Sequence, residues 1–154
     1  MEKTVVLIKP DAVQRGLIGQ ITTRFEKKGL KIIALKMVLL SDGILDEHYA
    51  HHKDKPFFED LKKFMTSAPI VAMILEGKGA ISLVRRMVGA TNGRDADLGS
   101  IRADYSISTS ANIIHVSDSQ AAATEEVSRF FKKEEIYDWD RALTPFFYAA
   151  DELK

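Results

Sequence analysis

Four short runs of β-branched and apolar residues, separated by segments of helical period, set what this chain can fold into. The runs are Thr4–Ile8, Lys31–Leu40, Ile70–Leu75 and Asn112–Val116, and such runs bounded by turn residues read as strands. The first stops at Lys9-Pro10-Asp11, a turn signal. Ile18, Ile21 and Phe25 then recur at i, i+3 and i+7 ahead of two lysines and Gly29, which predicts an amphipathic helix with a glycine C-terminus. Asp46–His52 reads as a short polar helix, and Pro56 suits the first turn of another that carries Phe57, Leu61 and Phe64. Pro69 opens the third strand and Gly77 closes it. Ile81, Val84 and Val88 give a helix ending at Gly89. Ala123, Val127, Phe130 and Phe131 mark the last long helix, with Asp118 or Ser119 as its N-cap. The order is β-α-β-α-α-β-α-β-α. Without the extra helices it is βαββαβ, the ferredoxin-like α+β pattern: a four-stranded antiparallel sheet with helices packed on it.

At 154 residues the chain is expected to form one domain, 1–154, with the irregular aromatic stretch beyond Asp138 unassigned. Twenty-two Lys and Arg balance 22 Asp and Glu, so strong nucleic-acid binding is not expected and self-association is plausible. Cysteine is absent, which excludes disulfides, a thiolate zinc site and a cysteine nucleophile. The apolar runs Val5–Ile8 and Ile70–Leu75 are too short for a signal-peptide core or a membrane span. A cytoplasmic protein with no membrane partner is expected.

The chemistry concentrates around His115. A lone histidine in an apolar strand is ordinarily a core residue, but its neighbours point further. Ser117 and Asp118 follow at once, and the helix starting there offers free N–H groups that favour an anion. Glu126 lies on the apolar side of that helix and needs a partner. His115 is within reach, and a carboxylate on one ring nitrogen leaves the other free to attack. Asn112, three residues earlier, faces away from His115 if the strand is regular. Lys9, Arg85, Arg102 and Thr91 are donors suited to an oligophosphate if they converge. Arg102 sits in a stretch of about twenty residues without clear period, Gly89–Ser108, a length that is usually functional or disordered. Of Phe57 and Phe58, one is expected to pack inward and the other to be free to stack on a nucleobase. His48, His51 and His52 read as a solvated helix face, and no metal-binding site is expected among them. Neither GxxxxGK[ST] nor GxGxxG occurs, so any phosphate handling runs through side chains.

Asn112-Ile113-Ile114-His115-Val116-Ser117-Asp118 resembles the NxxH[GA]SD signature of nucleoside diphosphate kinases. Ile8-Lys9-Pro10-Asp11, Lys55-Pro56-Phe57-Phe58, Gly89-Ala90-Thr91-Asn92 and Ile101-Arg102-Ala103-Asp104-Tyr105 match in the same order, and the likeness runs from about Thr4 to Tyr137. The resemblance implies ping-pong transfer of a γ-phosphate from a nucleoside triphosphate to a diphosphate, with ATP, ADP, GTP and GDP among the partners and broad base tolerance. It implies His115 as nucleophile through Nδ1, with Glu126 on its other nitrogen and Ser117 bonded to that carboxylate. It assigns Lys9, Tyr49, Arg85, Thr91 and Arg102 to the phosphates, with Lys9 and Tyr49 close to the transferred group. Lys9 and Asn112 would bind the ribose, and Phe57 and Leu61 would clamp the base. Mg²⁺ would travel on the nucleotide phosphates, with no metal ligands from the protein. The chain would form a homo-oligomer, a hexamer ahead of a tetramer. Three positions depart from the family pattern. Val116 replaces Gly or Ala, Gly93 stands where Pro is frequent, and Thr109 stands where an apolar residue often touches the base. A nucleotide-binding regulator without turnover and a histidine phosphocarrier remain alternatives.

Overall fold

A computed structural model describes residues 1–152; the last two residues of the expected domain 1–154 lie outside the described residues. Its strands are β1 (Glu2–Ile8), β2 (Lys31–Val38), β3 (Ile70–Gly77) and β4 (Ile114–Val116). They pair antiparallel in the spatial order β2-β3-β1-β4, the ferredoxin-like arrangement expected from βαββαβ. β1 is central and buried from Val5 to Ile8. Alternate side chains go to opposite faces of a sheet, and both faces here are covered. Val6 and Ile8 pack with Ile21, Phe25, Val84 and Ile101, whereas Val5 and Leu7 pack with Leu45, Phe58, Met65 and Phe130. This double cover explains why β1 and β3 read as continuous apolar runs rather than alternating ones.

The helices are α1 (Pro10–Gln14), α2 (Ile18–Lys28), α3 (Asp42–His48), α4 (Phe58–Met65), α5 (Ala80–Val88), α6 (Ile101–Tyr105) and α7 (Gln120–Phe130). Several differ from expectation. Pro10 does not simply turn the chain. It sits in the first turn of α1, where its missing N–H costs nothing. The expected Asp46–His52 helix begins earlier, because Ser41 caps it through Ile44 N, and it breaks after His48 into a 3₁₀ turn over Ala50–His52. Pro56 lies ahead of α4 rather than inside its first turn. The aperiodic stretch after Gly89 contains α6, capped by Ser100 through Ala103 N; five residues are too few to show a period. Ser119 caps α7 through Ala122 N.

The aromatic tail folds back on the sheet. Tyr137 N donates to Ile33 O at 2.8 Å and Trp139 Nε1 to Ile32 O at 3.2 Å. Phe147 lies over Gly29, whose φ is 99° and where a Cβ would meet the ring, so glycine is required there twice over. β2 is an edge strand, and Leu35 and Met37 on it and Leu39 just past its end are exposed at a spacing of two. No helix among the described residues is long and apolar enough to cross a membrane.

Candidate active site

His115 stands opposite Leu7 in the β1–β4 ladder and so shares the sheet face covered by α3 and α7. α7 begins just beyond it and carries Glu126 on its buried side. The imidazole Nε2 and Glu126 Oε1 are 2.8 Å apart. Ser117 Oγ donates to Glu126 Oε2 at 2.6 Å and accepts from Val5 N at 3.0 Å. Burial pushes the Glu126 carboxyl up, but His115 and Ser117 outweigh it and hold the group below the ordinary carboxylate range.

Asn112 reaches this site through a bend. Ile113 has a φ of 62°, and Ile114 N donates to Asn112 O at 2.8 Å, which is a γ-turn of the strained, positive-φ hand. A branched residue adopts this conformation only when its surroundings enforce it. Here the Ile8-Lys9-Pro10-Asp11 corner does so: Ile113 N donates to Asp11 Oδ2 at 3.1 Å, and Lys9 N donates to Ile113 O at 2.9 Å. Regular alternation would have sent Asn112 to the far face; β4 instead starts only at Ile114. Lys9 Nζ then donates to Asn112 Oδ1 at 2.6 Å, and Asn112 Nδ2 donates to the Thr91 and Thr109 carbonyls.

Lys9, Tyr49, Arg85, Thr91, Arg102, Asn112 and His115 line one cleft of about 970 Å³. Burial, reinforced by Arg102 and opposed by Asp11, holds the Lys9 amine down to about 8. Burial and Arg85 lower the Arg102 guanidinium to about 10. Arg102 also donates to the carbonyls of Gly89, Asn112 and Ile114, so it pins the loop to β4 while facing the cleft. Phe58 is buried and Phe57 is 49% exposed; Phe57 lines the cleft with Leu61 and Phe64. The cleft thus has a cationic end at His115 and an aromatic end at α4.

Val116 is buried in the apolar cluster with Val6 and Ile114, on the sheet face opposite His115, so its branch does not crowd the ring. Gly93 has no room for a side chain, because a Cβ there would strike the Ser106 carbonyl. Its N–H also points to Ser108 O at 3.4 Å, a bond proline would lack. Thr109 lines the cleft.

The three histidines do not form a solvated face. His51 is exposed, but His52 is half-buried in the cleft wall with its ring 5.3 Å from Phe57, and His48 is buried against His115. Leu45, His48 and Tyr49, at i, i+3 and i+4, carry the signal that marks this as the inward side of α3. His48, His115 and Glu126 present ligand atoms within 4.8 Å of one another. Both Glu126 oxygens already accept hydrogen bonds, and two imidazoles with one such carboxylate do not suit Mg²⁺, which prefers oxygen ligands.

The family model described as nucleoside diphosphate kinase matches residues 2–136. A nucleoside diphosphate kinase of Parabacteroides distasonis is 53% identical over 99% of this chain and 100% of its own length. That of Staphylothermus marinus is 59% identical over 90% and 98%. Among solved structures, a halophilic nucleoside diphosphate kinase from Halobacterium salinarum in complex with CDP superposes with a TM-score of 0.93. It is 46% identical and covers 96% of this chain and 98% of its own. With its fold, its site geometry and these relatives in agreement, the chain belongs to the nucleoside diphosphate kinase family and is a phosphotransferase.

Proposed function

We propose that this chain, acting as one catalytic domain, moves a γ-phosphoryl group between nucleotides by a ping-pong route through a phosphohistidine on His115. The observation that carries this is the 2.8 Å bond between His115 Nε2 and buried Glu126 at the wall of a cation-lined cleft. With Nε2 engaged, the Nδ1 lone pair is the one available to attack. It forms the N–P bond as the bond from phosphorus to the β,γ-bridging oxygen breaks, and the diphosphate departs. A second diphosphate then attacks the phosphohistidine with its terminal oxygen, reversing the step and restoring neutral His115. Glu126 steadies the positive charge that develops on the imidazole, and Ser117 holds the carboxylate in place. Lys9, Arg85 and Arg102 offset charge on the in-flight phosphoryl, with Tyr49 and Thr91 as further donors. Mg²⁺ enters as part of the substrate, on the nucleotide phosphates.

Lys9 and Asn112, already bonded to each other, present the ribose-binding pair. Exposed Phe57 with Leu61 supports base stacking that does not read the base edge, hence broad specificity. CDP, held by the Halobacterium salinarum enzyme, is a ligand this cleft would take. The apolar row of Leu35 and Met37 on edge strand β2 with Leu39 just past its end supports a homo-oligomer; the order of hexamer ahead of tetramer rests on the family resemblance alone, and light scattering tests it. The function itself is tested with γ-labelled ATP. The chain should become an acid-labile, alkali-stable phosphoprotein that passes its label to GDP or UDP, and His115→Ala should take none. Label that stays on the wild-type protein in the presence of diphosphates would refute the transfer.

A further inference from the structure

His48, the last residue of α3, takes no part in the chemistry proposed above, yet it packs directly on the reacting ring. Its side chain is 2% exposed. It meets the His115 ring edge-on, with centroids 4.6 Å apart, and Phe130 and Tyr49 wall it on other sides at 5.0 and 4.5 Å. Its Nδ1 lies 3.8 Å from Glu126 Oε1, the oxygen that also bonds His115. Arg129 on α7 approaches the same Nδ1 at 3.4 Å. Its Nε2 is buried with no hydrogen-bond partner among the described residues.

A fold selected for stability alone would fill this spot with an apolar ring. A buried polar atom left unpaired costs about 1–3 kcal/mol, and phenylalanine would supply the same edge-on contacts without that cost. The imidazole is also held neutral: burial first, and then His115, push it down to about 3. A second cation here would compete with His115 for Glu126. A neutral ring leaves the carboxylate charge to the nucleophile while its polar edge still faces Glu126 Oε1. His48 does not line the cleft, so it acts on the nucleophile and not on the nucleotide.

We infer that His48 is a positioning residue: a wedge that fixes the plane of the His115 ring and the direction from which Glu126 Oε1 meets it. This rests on His115 being the phosphoryl carrier.

The test is single-turnover labelling of the full chain by γ-labelled ATP, with calorimetric ADP binding and thermal unfolding alongside, for wild type, His48→Phe and His48→Asn. His48→Phe should label about tenfold more slowly, the scale set by slight misplacement of a reacting group. Its ADP affinity should be unchanged, and its melting temperature equal or higher. His48→Asn, whose amide reaches toward the position of Nδ1, should recover part of the rate. A labelling rate for His48→Phe within twofold of wild type would overturn the inference, as would a rate loss matched by an equal loss of ADP affinity. If His48→Phe does not fold, His48→Asn and His48→Gln carry the same comparison against wild type. Wild type that takes no label at all removes the phosphohistidine reading first and this one with it. Normal labelling by wild type and by the His48 variants alike removes only this one.

Discussion

Glu126→Gln separates the charge of the carboxylate from its shape. The amide oxygen can still accept from His115 Nε2, at the 2.8 Å position of Oε1. The amide nitrogen then faces Ser117 Oγ, 2.6 Å from Oε2 in the native site, and Ser117 becomes the acceptor. The serine hydroxyl hydrogen can turn to Val5 O, already 3.5 Å away, and Val5 N keeps its bond to Oγ. Ser117, Val5 and His115 keep their partners and only the second amide hydrogen goes without one, so the variant should lose no more than about 1–3 kcal/mol of stability. What is lost is the negative charge that, on the proposed route, faces the imidazolium-like ring of the transition state. Hydrogen bonds to charged groups contribute about 1.5–3 kcal/mol, and each ~1.4 kcal/mol is tenfold in rate. The rate of His115 phosphorylation, followed by rapid quench with labelled ATP in a single turnover, should fall by about ten- to a hundredfold or slightly more. ADP affinity, set elsewhere in the cleft, should hold. Labelling at the native rate would show that the carboxylate only shapes the site, and the electrostatic account would be wrong. Glu126→Ala should lose more rate and also stability, because it leaves Ser117 and His115 without their acceptor.

The remaining expectations concern binding and the loop. Lysine is cationic below its pKa, and Lys9 is held down to about 8; the free enzyme therefore carries this cation below about pH 8 and loses it above. The apparent KM for nucleotide should rise across about pH 7 to 9 while kcat, measured with phosphate bound, changes less; a flat KM profile would contradict the buried-amine reading. Phe57→Ala should weaken nucleotide binding by about 1–3 kcal/mol, the worth of a base–aromatic stack, and equal affinity in a calorimetric titration would dismiss the base platform. Gly93→Ala should destabilise the fold by about 1–3 kcal/mol by overpacking against the Ser106 carbonyl. A native melting temperature would show that the loop yields freely.

Much of the architecture is legible in the linear chain because backbone geometry imposes its own periods. Two-sided strands read as unbroken apolar runs, and α2, α5 and α7 show their inward stripes directly. The position of Glu126 among apolar neighbours on α7 already says that it must find a partner, and His115 is the group it meets. Short or capped elements are harder: α1 and α6 are five residues each, less than two helical turns, so no stripe can form. The aromatic tail shows no period, since its own hydrogen bonding builds no element longer than the 3₁₀ turn over Thr144–Phe146 and docking on β2 and Gly29 does the rest.

The chain's own letters thus determine a four-strand βαββαβ frame and a histidine followed by a helix that carries a buried acid. Only the folded structure decides that Ile113 takes a positive φ, because the Lys9–Asp11 corner that enforces it lies a hundred residues away in sequence. That one bend brings Asn112 to Lys9. Only the structure decides, too, that His48 is sealed beside His115. A periodic pattern records which residues share a side, whereas burial depends on which remote element comes to cover that side.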